Sequence, residues 1–178
     1  VTGPARVTWP ARVTWPARVT WPARVTRPGR RRATRAAVAL PVTVVARGLV
    51  RLPPARLRQV LGAAAAGTRP AGYQQTLAAM EAVTAVSRTC RDPSGCLPRA
   101  VATALLCRVS GRWPTWRTGV RTAGSFAAHA WVEADGLAVG ESFPPDAYQP
   151  MITVRSRPRQ RDGERDRDGE QQDTAGFR

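Results

Sequence analysis

Lysine and asparagine are absent from this chain, and histidine occurs once, at His129. Both missing residues have A-rich codons, so their joint absence reads as GC-rich coding, with arginine as the default cation. That bears on the net charge of +16, which otherwise resembles a nucleic-acid signature. Residues 1 to 70 hold fourteen Arg and no acid, whereas 71 to 154 hold seven Arg against six acids, as does the stretch from 155. The basic excess belongs to the N-terminal third, no nucleic-acid reader fold is recognisable, and no nucleic-acid partner is expected. Three cysteines, Cys90, Cys96 and Cys107, are an odd number at spacings that match no zinc pattern, and one His leaves too few soft ligands for a closed metal site. No secretory signal stands at the start. The apolar run "AAVALPVTVVARGLV" (36 to 50) is too short for a membrane span and is broken by Pro41 and Arg47. A cytoplasmic, reducing setting with free thiols and no membrane insertion is the expectation.

What is present falls into three parts. The hexapeptide "PARVTW" occurs three times unchanged from Pro4 and then once as "PARVTR". Proline at every sixth residue forbids a continuous helix. The Trp-Pro-Arg spacing fits a membrane-active or base-stacking peptide. Identical copies read better as a translated DNA repeat upstream of the true start codon, and residues 1 to 33 are expected to be disordered. The tail from 155 to 178 mixes charges with almost no apolar residue, and disorder is expected there too. Between them, 34 to 154 reads as one domain. Short helices are predicted over 34 to 50 and 53 to 66, the second with Leu57, Val60 and Leu61 at helical spacing and Gly67 as its stop. "GYQQTLAAMEAVTAVSRTC" predicts a helix with Tyr73, Leu77, Met80 and Val83 along one side. After the turn "RDPSG" a further helix runs from about Gly95 to Val109. The period then changes to two, and "TWRTGVR", "FAAHAWVEA", "LAVGE" and "MITV" read as strands. Helices first and a small antiparallel sheet after is an α+β layout.

The residues with chemistry sit at the joints of that plan. Cys96 opens a helix, with Pro98 in its first turn. Unpaired N–H groups and the helix dipole there favour thiolate over thiol, although a small buried hydrophobe is the commoner fate of a helical Cys. Cys107 lies about 16 Å further along the same helix, which excludes a disulfide with Cys96. Cys107 and Cys90 are assigned to packing. A lone His is ordinarily a packed bystander, but alternation puts His129, Trp131 and Glu133 on one strand face and Ala128, Ala130 and Val132 on the other. The turn at Asp135-Gly136 then decides what the imidazole meets. A two-residue turn sets Ala130 opposite Glu141. A three-residue turn with a bulge at Gly136 sets His129 opposite Glu141, with Cβ atoms roughly 5 Å apart, and Val139 opposite Trp131. In the second register a Cys nucleophile, a His base and a carboxylate orienter make up a cysteine acyl-transfer triad. Trp131 either walls the cleft or packs on the hairpin.

The stretch "SGCLPRAVATALLCRVSGRWPTWRTGVRTAGSFAAHAWVEADGLAVGE" resembles the transglutaminase-like leader peptidases of lasso-peptide biosynthesis, in the split form where leader recognition is a separate small protein. The similarity extends over about residues 36 to 154. It implies a transglutaminase-like, papain-like cysteine peptidase fold. It also implies removal of the leader from a ribosomally made precursor peptide, after which an asparagine-synthetase-like cyclase closes the freed amine onto an acidic side chain. Carried over by position, Cys96 is the nucleophile, His129 the base and Glu141 the third member, where the family usually has Asp. Ala100 stands where a Ser is expected and Arg117 where a Cys is common; neither touches the triad. The implied partners are the precursor, a separate leader-binding protein and the cyclase, with no metal or organic cofactor. Transamidation by the same triad, or a non-catalytic scaffold holding the precursor, are the competing functions.

Overall fold

A computed structural model describes residues 30–122, 127–141 and 147–158, with side chains from 36 onward. The hexapeptide repeat and most of the charged tail lie outside the described residues, as do Phe126 and Asp146.

Five helices come first: α1 (Arg30–Leu49), α2 (Pro54–Ala65), α3 (Tyr73–Val86), the single turn α4 (Arg88–Arg91) and α5 (Cys96–Val109), with a 3-10 turn at Pro93–Gly95 before α5. The helical part begins at Arg30, four residues inside the segment expected to be disordered, and Pro41 is accommodated within α1. Small residues on one side of α1, Ala39, Thr43 and Ala46, are buried, and α1 packs there on α3 and α5. Its other side leaves Leu40, Val44 and Val45 exposed. In α2, Pro54 occupies the first turn, where a missing N–H costs nothing, and Leu57, Leu61 and Ala65 are buried. Val60, expected on the same apolar side, is exposed. The buried line of α3 is Thr76, Ala79, Met80 and Val83, with Tyr73 and Leu77 half-buried at its margin.

Helix α5 is the centre of the domain. Ala100, Val101, Ala102, Thr103, Ala104, Leu106 and Cys107 are all buried, as expected of a helix covered on most sides. It contacts α1 and α3 and lies against the sheet strand that carries His129. Truncating a side chain of this core, such as fully buried Leu61 to Ala, is expected to cost about 2–5 kcal/mol.

Six strands follow or interleave: β1 (Arg69–Pro70), β2 (Arg112–Trp113), β3 (Thr115–Arg121), β4 (Ala127–Ala134), β5 (Leu137–Ala138) and β6 (Tyr148–Val154). The main sheet has the order β5-β4-β3-β6, with β3 antiparallel to both β4 and β6. Residues β1 and β2 form a separate parallel clasp that ties the α2–α3 link to the α5–β3 link. Trp113 Nε1 donates to the Val154 carbonyl at 3.3 Å, joining that clasp to the sheet. Strand β6 begins three residues earlier than the apolar "MITV" predicts. Pro150 reads as a breaker, but an edge strand with a register shift opposite Thr118 and Gly119 tolerates it. Beyond β6, Arg157 bridges Ala66, so the chain stays attached to α2 past residue 154, where the domain was expected to end. The architecture is the α+β one expected, helices followed by a small antiparallel sheet.

Candidate active site

Cys96 is the first residue of α5 and stands half-buried at its N-terminus. The approach is fixed by a tight reversal. Asp92 accepts from Ser94 N at 2.8 Å, and a Cβ on Gly95 would collide with the Thr89 carbonyl. Only glycine lets the chain pass that close before turning into α5. Cys90 and Cys107 are 0% and 1% exposed and none of the three cysteines is in a disulfide, so Cys96 is the accessible one.

His129 projects from β4 on the face that also carries Trp131 and Glu133. Ala130, Val132 and Ala134, on the opposite face, enter the main core. This is the alternation read from the sequence. The hairpin register is not the one that paired His129 with Glu141. Asp135 and Gly136 both have positive φ (52° and 78°), which makes a two-residue I′ turn. Glu133 pairs Ala138, Ala134 pairs Leu137, and Val139 N donates to Val132 O rather than crossing from Trp131. Glu141 nonetheless reaches the imidazole, because the ladder ends before it. At Gly140 (φ 71°) the chain leaves strand geometry, and a Cβ there would also meet the Met80 sulfur. The swing carries Glu141 Oε2 to 3.0 Å from His129 Nε2. Asp135 is not near this pair: its carboxylate accepts from Tyr73 N at 2.7 Å and caps α3, whose own cap residue, Gly72, has no side chain.

With Nε2 committed to Glu141, Nδ1 is the ring nitrogen left to face Cys96, whose interaction with the imidazole shifts both groups. The consequences for protonation are opposite and mutually supporting. The hydrogen bond from His129 holds the Cys96 thiol below its ordinary range against the opposing effect of burial. The Ala130 N–H and the charges of His129 and Arg99 act in the same direction as His129. Bonds to Cys96 and then Glu141 raise His129 to about 9, again against burial. Both shifts favour the thiolate–imidazolium pair over the neutral thiol and imidazole.

Two neighbours were not singled out from the sequence. Arg99, one turn after Cys96, is anchored on the Cys90 and Asp92 carbonyls at 3.3 and 3.4 Å, and its charge favours the thiolate. The "GCL.R" spacing contained that signal. Tyr148 lies against His129 and Glu141, brought there by the β3–β6 pairing, for which the local sequence offers no sign. Trp131 is 1% exposed and clusters with Ala147 and Tyr148, so it packs and presents no wall to a ligand. Its Nε1 donates to Glu133, and Arg117 pairs with Glu133 at 3.0 Å. Among the described residues no group of His, Cys, Asp and Glu is arranged to hold a metal ion, and no helix is long and apolar enough to cross a membrane.

Helices leading into an antiparallel sheet, with a cysteine at a helix N-terminus against a histidine on the adjacent strand, define a transglutaminase-like domain. Comparison with protein families matches residues 36–153 to the transglutaminase-like superfamily, and the chain belongs to it. That superfamily includes cysteine peptidases and transglutaminases, so acyl transfer through cysteine is the chemistry the membership supports. No curated protein and no solved structure matches the chain significantly.

Proposed function

We propose that this protein is a cysteine endopeptidase that removes the leader from a ribosomally made lasso-peptide precursor. The observation that carries the chemistry is His129 placed between Cys96 and Glu141: its Nε2 meets Glu141 Oε2 at 3.0 Å, and its interaction with Cys96 holds the thiol low. The choice of substrate rests on the sequence resemblance, in which "GCLPR" precedes "GVR" and "AHAWVEADG".

Cys96 thiolate attacks the carbonyl carbon at the leader–core junction, and the oxyanion forms beside the backbone N–H groups of the α5 N-terminus. The His129 imidazolium gives its proton to the departing core amine as the C–N bond breaks, which leaves the leader as a thioester on Cys96. Neutral His129 then takes a proton from water, and the hydroxide adds to the thioester carbonyl. Expulsion of the thiolate frees the leader carboxylate and restores the pair. Glu141 holds the ring and stabilises its charged form. No step needs a metal or an organic cofactor.

The test is mass-spectrometric leader release from a precursor peptide, with the separate leader-binding protein present. Cys96→Ala and His129→Ala are each expected to abolish cleavage, and the double variant to be scarcely worse than the poorer single one. Maturation that survives Cys96→Ala would make the protein a scaffold. An amide product on adding a primary amine would make it a transamidase.

A further inference from the structure

Tyr148 has no part in the scheme above, yet it touches both halves of the Glu141–His129 pair. It is 4% exposed. Its hydroxyl donates to Glu141 Oε2 at 3.2 Å, the same oxygen that meets His129 Nε2 at 3.0 Å. Its ring stacks on the imidazole with centroids 5.4 Å apart and planes 23° apart. Trp131 lies 5.0 Å from Tyr148 and itself stacks on His129 at 6.0 Å, so the three rings form one packed group. We propose that Tyr148 is a positioning residue, whose hydroxyl fixes the Glu141 carboxylate against His129 Nε2 and whose ring keeps the imidazole turned toward Cys96. The inference rests on the reading of Cys96 and His129 as a working pair, and it concerns how that pair is held.

The need for such a contact follows from where Glu141 sits. Strand β5 ends at Ala138, the last cross-strand bond is Val139 N to Val132 O, and Gly140 turns the chain away. No ladder therefore sets the direction of the Glu141 side chain, which has one more rotatable bond than Asp and more freedom to lose. Tyr148 has the fixed frame that Glu141 lacks. It pairs with Arg121 on β3, and β3 in turn pairs Gly119 with His129. Tyrosine and histidine thus ride on one sheet, and the hydroxyl returns the carboxylate to that sheet. A residue needed only for packing would serve equally well as Phe; the bonded hydroxyl marks the difference. The other charged groups around His129 are accounted for. Cys96 approaches from α5, with Arg99 behind it. Glu133, on the same face of β4, is engaged by Trp131 Nε1 and by Arg117 from β3.

Because the chain has one histidine, an NMR titration of its imidazole shows one ring and needs no assignment. Tyr148→Phe keeps the ring stack and removes only the hydroxyl. The His129 midpoint, about 9 in the parent protein, is expected to fall by roughly 0.5 to 1 pH unit as the carboxylate loses its anchor. In a Glu141→Ala background the same change should produce no further fall, since Tyr148 acts through Glu141. A Tyr148→Phe protein that titrates like its parent would overturn the proposal, as would a fall of equal size without Glu141. Both results are independent of substrate. Cleavage surviving in Cys96→Ala would sink the peptidase reading and leave these titrations standing, and uncoupled titrations would sink this inference and leave cleavage untouched.

Discussion

Replacing His129 by Ala tests the cysteine–histidine pair without any knowledge of the substrate. The ring is the largest influence holding the Cys96 thiol low, and burial acts in the opposite direction. Without the imidazole the thiol should return to at least the ordinary value of about 8.5, so at pH 6.5 only about 1% would be thiolate. The remaining thiolate is more basic and therefore more nucleophilic. With a slope of about 0.4–0.5 per pH unit, that restores up to roughly tenfold. Against a parent thiol that is mostly ionised at that pH, alkylation should therefore slow by about 10-fold, and above pH 9, where the variant thiol ionises too, the variant should react at least as fast as the parent. The assay is stopped-time iodoacetamide labelling across pH 5 to 10, read by peptide mass mapping. Buried Cys90 and Cys107 provide an internal reference for slow thiols. A parent protein labelled first on Cys107 or Cys90, or a His129→Ala profile that overlays the parent's, would refute the reasoning.

In the parent protein His129 stays protonated up to about 9, so turnover should hold through neutral pH and fall as the ring loses its proton above that. Glu141→Gln removes a contact that raises this value, so the alkaline limb should move to lower pH and turnover drop by at least about 10-fold with the fold intact. Asp135→Ala loses the α3 cap and puts a Cβ-bearing residue with no local hydrogen bond at φ 52°, for a combined cost of about 2 kcal/mol in urea unfolding. Asp135→Asn should lose much less, and equal losses would remove the cap from the account. Cys107→Ala and Cys90→Ala should each cost about 1 kcal/mol by the same assay with labelling of Cys96 unchanged. Deleting residues 1 to 29 should leave melting and cleavage as they were, and a fall in either would give the repeat a role.

Much of this architecture was legible because its signals are local. The helix from Tyr73, the start of a helix at Cys96, the alternation along β4 and the packing of Cys107 follow from spacing and side-chain type, although the first was expected to run on to Cys90 and breaks at Ser87. The two-residue clasp of Arg69–Pro70 with Arg112–Trp113 was not legible, since two residues have no period. The exposed valines of α1 were equally hidden, because an apolar run does not reveal which of its sides finds a neighbour. The position of Glu141 is the instructive case. Side-chain alternation treats a hairpin as a continuous ladder, and on that assumption only the three-residue turn brings Glu141 to His129. The chain uses the two-residue turn, ends the ladder early and swings at Gly140, so the contact arises from a break in the pattern. Tyr148 lay beyond reach for a different reason: its neighbours are set by the order of strands in the sheet.

The bond from Tyr73 N to the Asp135 carboxylate spans 62 positions of chain. During vectorial synthesis α3 emerges long before the residue that caps it, and Val132 and Val139, which complete the core above α5, arrive in the same late segment. The helical half is thus made with an open first turn and an uncovered apolar surface, and the hairpin closes both at once. The strand that brings His129 to Cys96 belongs to that closing segment. A nascent chain therefore has no imidazole beside its thiol until the domain as a whole can fold, and the lowering of the Cys96 thiol by His129 arrives together with tertiary structure.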